Sequence, residues 1–284
     1  MTDAICLAVS GLVVAWLTPV LLRGQVGRGD APRVAVLAWF AGAVAAVVLW
    51  LAAASHLIAD SDVLGRFVGI LLASALVARL AWVIGHALRR NRQRQRDHLD
   101  TARVVARHDV RPGVLVIDAP EPAVYCVPSG EGVVVMSRGA HELLSEAEAE
   151  AVLVHERTHL NEHHHVLVTV ARALQAAFPW LNLFTRMGAQ VALLLEMRAD
   201  DAAVRACGHD TVLGAFASLC LTEAPTGTLA AHGPTLVHRV TRLTDPTSRW
   251  RGRIGVATTV VTAVALAAVP LLGAWLPYCP HPLI

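Results

Sequence analysis

The segment VLVHERTHLNEHHH, residues 152–165, packs five histidines into fourteen residues and sets a glutamate directly after the first. Within it, His155-Glu156-Arg157-Thr158-His159 has the spacing H-E-x-x-H. On a helix, positions four apart share a face one turn apart, so His155 and His159 can offer both imidazoles to one metal ion. Glu156 is turned toward a third side of that ion, where a carboxylate can polarise a bound water. The chemistry predicted is zinc-assisted hydrolysis, with one Zn2+ per chain. Such a site needs a third protein ligand and a fourth position left for water.

Two residues compete for that third place. His165 stands where the longer spacing H-E-x-x-H-x-x-G-x-x-H would put it, but Glu162 holds the glycine position. A sharp turn with positive φ is unfavourable for glutamate. Glu196 lies in LLLEMRADDAAV, residues 193–204, a second helical run with Glu196 and Asp200 four apart on one face. Glu196 can ligate, and Asp200 can accept a hydrogen bond from a ligating histidine, as metal-bound imidazoles commonly require. The sequence therefore favours Glu196 as the third ligand with Asp200 behind it. The plainer reading of the pair is a solvated face salt-bridged to Arg198 or Arg205, which loses force beside H-E-x-x-H.

These residues need elements to hold them. Ser145 is followed three residues later by Glu148, a capping box that starts the helix EAEAEAVLVHERTHL. Val152, Leu153 and Val154 would bury that helix and keep the histidines rigid. Ahead of it lie VLVID (114–118), AVYCV (123–127) and VVVMS (133–137), separated by Pro120, Pro122 and PSGEG (128–132). They predict a small antiparallel sheet. The run GVVVM (132–136) is predicted to offer its edge, with Val133, Val134 and Val135 binding an extended substrate by β-augmentation.

The rest of the chain reads as membrane. Of its 284 residues 55% are hydrophobic, and the excess is concentrated in long uncharged runs near the two ends. Residues 4–22, 34–59 and 63–88 are each about long enough to span a bilayer. The absence of a basic start argues against a cleaved signal peptide for the first. Arg79 lies deep in the third run and is expected to snorkel or to face a helix partner. A fourth apolar run covers 254–276. Arginines 23, 28 and 33, the run RRNRQRQR (89–96) and SRWRGR (248–253) mark the cytoplasmic ends, while DSD (60–62) does not. All four spans then agree on extracytoplasmic termini and a cytoplasmic middle. The predicted organisation is a three-helix transmembrane region over 1–96, a cytoplasmic metallopeptidase domain over 97–250, and a fourth span with a short tail over 251–284. Residues 166–195 are apolar but interrupted, and read as core or interfacial helices or as a re-entrant hairpin. The arginine run at 89–96 suits anionic lipid, so direct nucleic-acid binding is not expected. Five cysteines with no C-x-x-C spacing argue against a disulfide framework and a cysteine zinc site.

H-E-x-x-H followed by E-x-x-A-D resembles the gluzincin membrane metallopeptidases. One branch holds the HtpX-like and CAAX prenyl proteases, the other the beta-lactam-sensor antirepressor peptidases of BlaR/MecR type. VVVMSRGAHELLSEAEAEAVLVHERTHL with EMRADDAAV resembles the core of both, and three spans before the zinc helix with one after resemble the antirepressor type more closely. The resemblance implies a multi-pass α-helical membrane protein with an α+β zincin domain. It also implies His155, His159 and Glu196 as ligands, Glu156 as general base and Asp200 as support. A downstream H-P-x-x-x-x-R-[IV]-x-x-L pattern is partly kept as GPTLVHRVTRL (233–243), with Gly233 at the histidine position. It implies Arg239 at the oxyanion, with His232 or His238 as substitutes. The extracellular penicillin-binding domain of the antirepressor sensors is not expected, and no S-x-x-K motif is present. The expected activity is endoproteolysis of a protein or peptide at the cytoplasmic side, with a transcriptional repressor as the family-based substrate. Membrane-protein quality control is the alternative, and a non-catalytic membrane scaffold is the alternative of another class. A homo-oligomer is compatible with all of these.

Overall fold

The computed structural model describes residues 2–28, 31–108, 111–222, 229–244, 255, 257–266 and 268. The elements run α1 (Thr2–Arg28), α2 (Pro32–Asp60), α3 (Val63–Val105), β1 (Ala106–His108), β2 (Val114–Ile117), β3 (Val124–Val127), β4 (Val133–Ser137), α4 (Arg138–Leu143), α5 (Glu146–Asn161), α6 (His164–Ala177), α7 (Asn182–Cys207), α8 (His209–Thr222) and α9 (Leu229–Thr244). They form two compact units. One comprises residues 1–86, 170–194 and 247–284, the other 87–169 and 195–246.

The first unit holds three helices long and apolar enough to cross a membrane, over Thr2–Arg23, Pro32–Asp60 and Val63–Val104. Helices α1 and α2 pack through small residues. A Cβ on Gly42 would fall 2.6 Å from the Thr18 methyl, and one on Gly11 would fall 2.5 Å from the Trp50 indole nitrogen. Close approach of this kind is how apolar helices gain dispersion contact where lipid offers no hydrophobic drive. The third span continues unbroken past the arginine run into the second unit. About half of the fourth predicted run lies outside the described residues, which include an apolar helix over Ala257–Leu266.

Residues 166–195 form a helical hairpin, and its tip groups with the spans. Phe178 and Phe184 pack as a tilted pair at 4.7 Å and both meet Trp50 of α2, at 5.6 and 6.5 Å between ring centres. Arg79 does face a helix partner: its Nε donates to the Ala177 carbonyl at 2.9 Å, and its guanidinium lies 6.0 Å from the Trp180 ring. That carbonyl ends α6, where Pro179 follows and no further turn can satisfy it. The arginine and the freed carbonyl thus satisfy each other.

In the second unit the sheet order is β1-β2-β4-β3, with β1–β2 and β3–β4 antiparallel and β2–β4 parallel. The sheet is therefore mixed, not purely antiparallel. The proline-bearing link 118–123 carries the chain past the place where β4 later inserts, so β4 returns alongside β2 in the same direction. This corrects one expectation directly. Val133, Val134 and Val135 are in a central strand, paired on one side with β3 and on the other with β2, and offer no edge. The strand beyond β4 is β3.

Helix α5 starts as the sequence indicates. The Glu148 amide donates to Ser145 Oγ at 3.3 Å, and the Ser145 amide donates to the Glu148 carboxylate at 2.9 Å. One face of α5 puts Ala149 and Leu153 against Val134, Met136 and Ala140. Another puts Ala151 against Ala203 of α7, Val212 of α8 and Leu243 of α9. Leu153 is fully buried, a contribution of about 1.5–3 kcal/mol. Packing on two sides fixes the helix's rotation, and so the direction of its histidines. Ser145→Ala should remove one arm of the capping box and cost about 1 kcal/mol. A lowered melting temperature of the purified full-length chain checks this, and an unchanged one would contradict it.

Candidate metal centre

His155 and His159 project from one face of α5 with their Nε2 atoms 3.1 Å apart. Glu196, from α7, closes the triangle. Its carboxylate oxygens lie 3.4 Å from His155 Nε2 and 3.5 Å from His159 Nε2. These residues form the group whose ligand atoms could hold one metal ion among the described residues. Tetrahedral zinc with bonds of about 2.0–2.2 Å sets its ligand atoms about 3.3–3.5 Å apart. The two histidine–carboxylate separations fall in that range and the 3.1 Å between the imidazole nitrogens lies just below it, and two imidazoles with one carboxylate suit a borderline ion such as zinc.

Each imidazole has its other nitrogen engaged. His155 Nδ1 lies 3.1 Å from Asp200 Oδ1, and Asp200 is wholly buried. Arg239 reaches Asp200 with two donors, Nε at 2.8 Å and Nη2 at 2.6 Å, and meets Glu196 through Nη1 at 3.1 Å. Its guanidinium also covers the Phe216 ring at 4.7 Å. Arg239 thus belongs to the carboxylate cluster, with all three of its nitrogens facing Asp200 or Glu196. His238 is exposed, and the side chain of His232 lies outside the described residues. His159 Nδ1 lies 2.8 Å from the Nδ1 of His164.

The pattern of charge follows from these contacts. Burial opposes ionisation of Glu196, but the His155 hydrogen bond and the Arg239 charge overcome it and hold the carboxyl at about 2. Burial is likewise outweighed at Asp200, which hydrogen bonds from Arg239 and His155 hold at about 2. At His155 burial disfavours the imidazolium, yet Asp200 and Glu196 raise it to about 9. Burial lowers His159 to about 4. Glu156 lines the same cavity with Val124, Phe216 and Arg239, and burial raises its carboxyl above the usual range. Cys126 of β3 lies close enough to Glu156 for the two to perturb each other's ionisation. No spacing in the sequence points to Cys126, because only the strand pairing brings β3 over α5.

The structure brings His155, Glu156, His159, Glu196, Asp200 and Arg239 into one cluster. His165 is not among the grouped ligands. The turn that a glycine would make at 162 occurs one residue later, at His163 with φ 52°, and it returns His164 to His159. His164 was missed because a left-handed histidine carries no signature as plain as glycine's.

A sheet beside a helix carrying H-E-x-x-H, with a glutamate supplied by a later helix, defines the zincin-like class of metallopeptidases. The family model described as Peptidase family M48 matches residues 88–193, just over a third of the chain. Over that stretch the chain is similar to the M48 zinc metallopeptidases, and the three helices long and apolar enough to cross a membrane mark it as a multi-pass membrane protein. No curated protein and no solved structure gives a match. The matched stretch includes α5 and stops short of Glu196, Asp200 and Arg239, so their assignment rests on geometry.

Two outcomes test the centre. Glu196→Ala should cut bound zinc well below one per chain, whereas His165→Ala should leave it unchanged. Loss of zinc in the His165 variant alone would reverse the choice of third ligand. A ligating His155 must give up the proton that its carboxylates hold to about 9. Apparent zinc affinity should therefore rise by roughly tenfold per pH unit from neutrality up to that value, then level off. Competition with a chromophoric chelator across that range measures it.

Proposed function

We propose that the chain is a zinc endopeptidase in which His155, His159 and Glu196 hold one Zn2+ and Glu156 acts as general base. The observation that carries the reading is the convergence of two histidine Nε2 atoms and one carboxylate at 3.1–3.5 Å, with the Glu156 carboxyl in the same cavity. When bound, zinc supplies a Lewis acid that polarises a peptide carbonyl and acidifies water. The protein's own part is the proton. Burial raises the Glu156 carboxyl above its usual range and so makes it a stronger proton acceptor. It takes the proton of the attacking water and passes it to the departing amine. Arg239 keeps Glu196 and Asp200 ionised and in place.

Substrate binding falls to β3. That strand pairs with β4 on one side, and its Val124 lines the cavity that holds His155 and Glu156. An extended peptide adding to the outer side of β3 would bring its backbone past Glu156 by β-augmentation. This replaces Val133, Val134 and Val135 as the substrate strand. The catalytic residues face the cytoplasm on this reading, supported by the exposed arginines 89, 90, 92, 94 and 96 on the stretch of α3 that follows the third apolar run.

The substrate is a protein or peptide. Three spans ahead of the metal helix favour regulatory cleavage of a transcriptional repressor. The M48 match favours the second reading, proteolysis of membrane proteins in the manner of the HtpX-like branch. Glu156→Gln should lower cleavage of casein by several orders of magnitude while zinc content stays at one per chain. Full activity in that variant would sink the general-base assignment. The same variant, used as a trap in cells, retains the substrate: a repressor supports the first reading, unfolded membrane proteins the second.

A further inference from the structure

The histidine run continues past the metal motif, and one member of it is placed for a task. His164 is 2% exposed. Its Nδ1 lies 2.8 Å from the Nδ1 of His159, with the two rings edge to face at 85°. Its Nε2 lies 3.4 Å from Glu162 Oε2, a long contact, and the other Glu162 oxygen accepts from Arg198 Nη2 at 2.6 Å. Arg198 comes from α7, two residues past Glu196.

Two imidazole nitrogens 2.8 Å apart cannot both carry hydrogens or both carry lone pairs; one must donate and the other accept. The Nε2 of His159 faces His155 and Glu196. A histidine that ligates through Nε2 keeps its proton on Nδ1. The direction of the whole chain is then set. His159 Nδ1–H donates to His164 Nδ1, His164 Nε2–H points at Glu162, and Arg198 donates to Glu162. His164 is not itself a ligand, because its nearest nitrogen meets His159 on the side away from the ligand triangle.

We propose that His164, backed by Glu162 and Arg198, is a positioning residue that fixes the tautomer and ring orientation of His159. This rests on the reading of His155, His159 and Glu196 as the zinc centre. It gives each imidazole its own support: Asp200 and Arg239 behind His155, His164 and its carboxylate–arginine pair behind His159. Both supports draw on α7, through Asp200 and Arg198, and α7 also carries Glu196. The left-handed turn at His163 makes the second support, because it folds the start of α6 back onto the end of α5.

The test uses the purified full-length chain in detergent, with zinc affinity from chelator competition and the visible spectrum of the Co2+-substituted protein. His164→Leu removes the acceptor at similar volume and should weaken zinc binding by about 10–100-fold and shift the Co2+ bands. His164→Gln returns a carbonyl acceptor and should restore most of the affinity and spectrum. Wild-type affinity and spectrum in His164→Leu would overturn the proposal, as would equal loss in the Leu and Gln variants, which would mean packing alone. Where His164→Leu does not fold, Glu162→Ala decides: weakened zinc binding supports the relay, and unchanged binding overturns it. His155→Ala separates the layers. If it retains zinc, the metal-centre reading itself fails. If it loses zinc while His164→Leu does not, only the positioning role fails.

Discussion

A carboxylate with no solvent exposure is tolerated only when its charge is matched and its lone pairs are filled. Asp200 meets that condition through Arg239, which supplies two donors in the fork geometry that only arginine offers. Much else follows from the pair. It ties α7 to α9, and the remaining contact of Asp200 ties both to His155 on α5. Nη1 of the same arginine sets Glu196, one turn earlier on α7. Removing Arg239 takes away the cation that the buried Asp200 shares with Glu196, at a cost of about 3–5 kcal/mol. The two carboxylates and one guanidinium carry a net charge of one negative, on the flank of the site where a dication would sit. The cluster is therefore both a fold constraint and an electrostatic one.

What could be read from the sequence was what depends on local spacing. Two histidines four apart share a helix face whatever the fold, and Ser145 with Glu148 marks the helix start through contacts within one turn. Glu196 and Asp200 were legible for the same reason, as a four-residue carboxylate pair on one helix. Strand order was not. The runs at 114–118, 123–127 and 133–137 carry their composition openly, but nothing in them says that the last inserts between the first two. That insertion takes the sheet edge from β4 and gives it to β3, and it brings Cys126 to Glu156. Arg239 was found from a degenerate pattern that suggested an oxyanion donor. Its position across from Asp200 depends on how α9 packs, which no spacing encodes.

The membrane-spanning part shows the same division. Composition alone marks the three spans, because backbone polar groups in a bilayer require long uninterrupted helices. The interruptions in 166–195 left that segment open, since Arg172, Pro179, Asn182 and Arg186 break every simple period. The contacts of Phe178 and Phe184 with Trp50, and of Arg79 with the Ala177 carbonyl, explain the break at the tip. A proline turn leaves a carbonyl without its helical donor, and a costly intramembrane arginine finds its use there. Each residue would be a liability alone.

The two histidines of the motif are not equivalent, and the difference follows from what stands behind each. His155 faces Asp200, an anion that stays ionised down to about 2. His159 faces a neutral imidazole. Asp200 and Glu196 together stabilise the imidazolium, so His155 is raised to about 9, while at His159 burial outweighs the pull of Glu196 and lowers it to about 4. At neutral pH His159 is thus already in the form that ligates, and His155 holds a proton that a metal must displace. Exchange of one proton for a dication raises the local charge by one, which the net negative carboxylate–guanidinium cluster offsets. An anion behind His155 also makes its neutral form the stronger donor once the proton has gone. The anionic support thus favours tight binding at the cost of competition from protons, and the neutral support favours readiness.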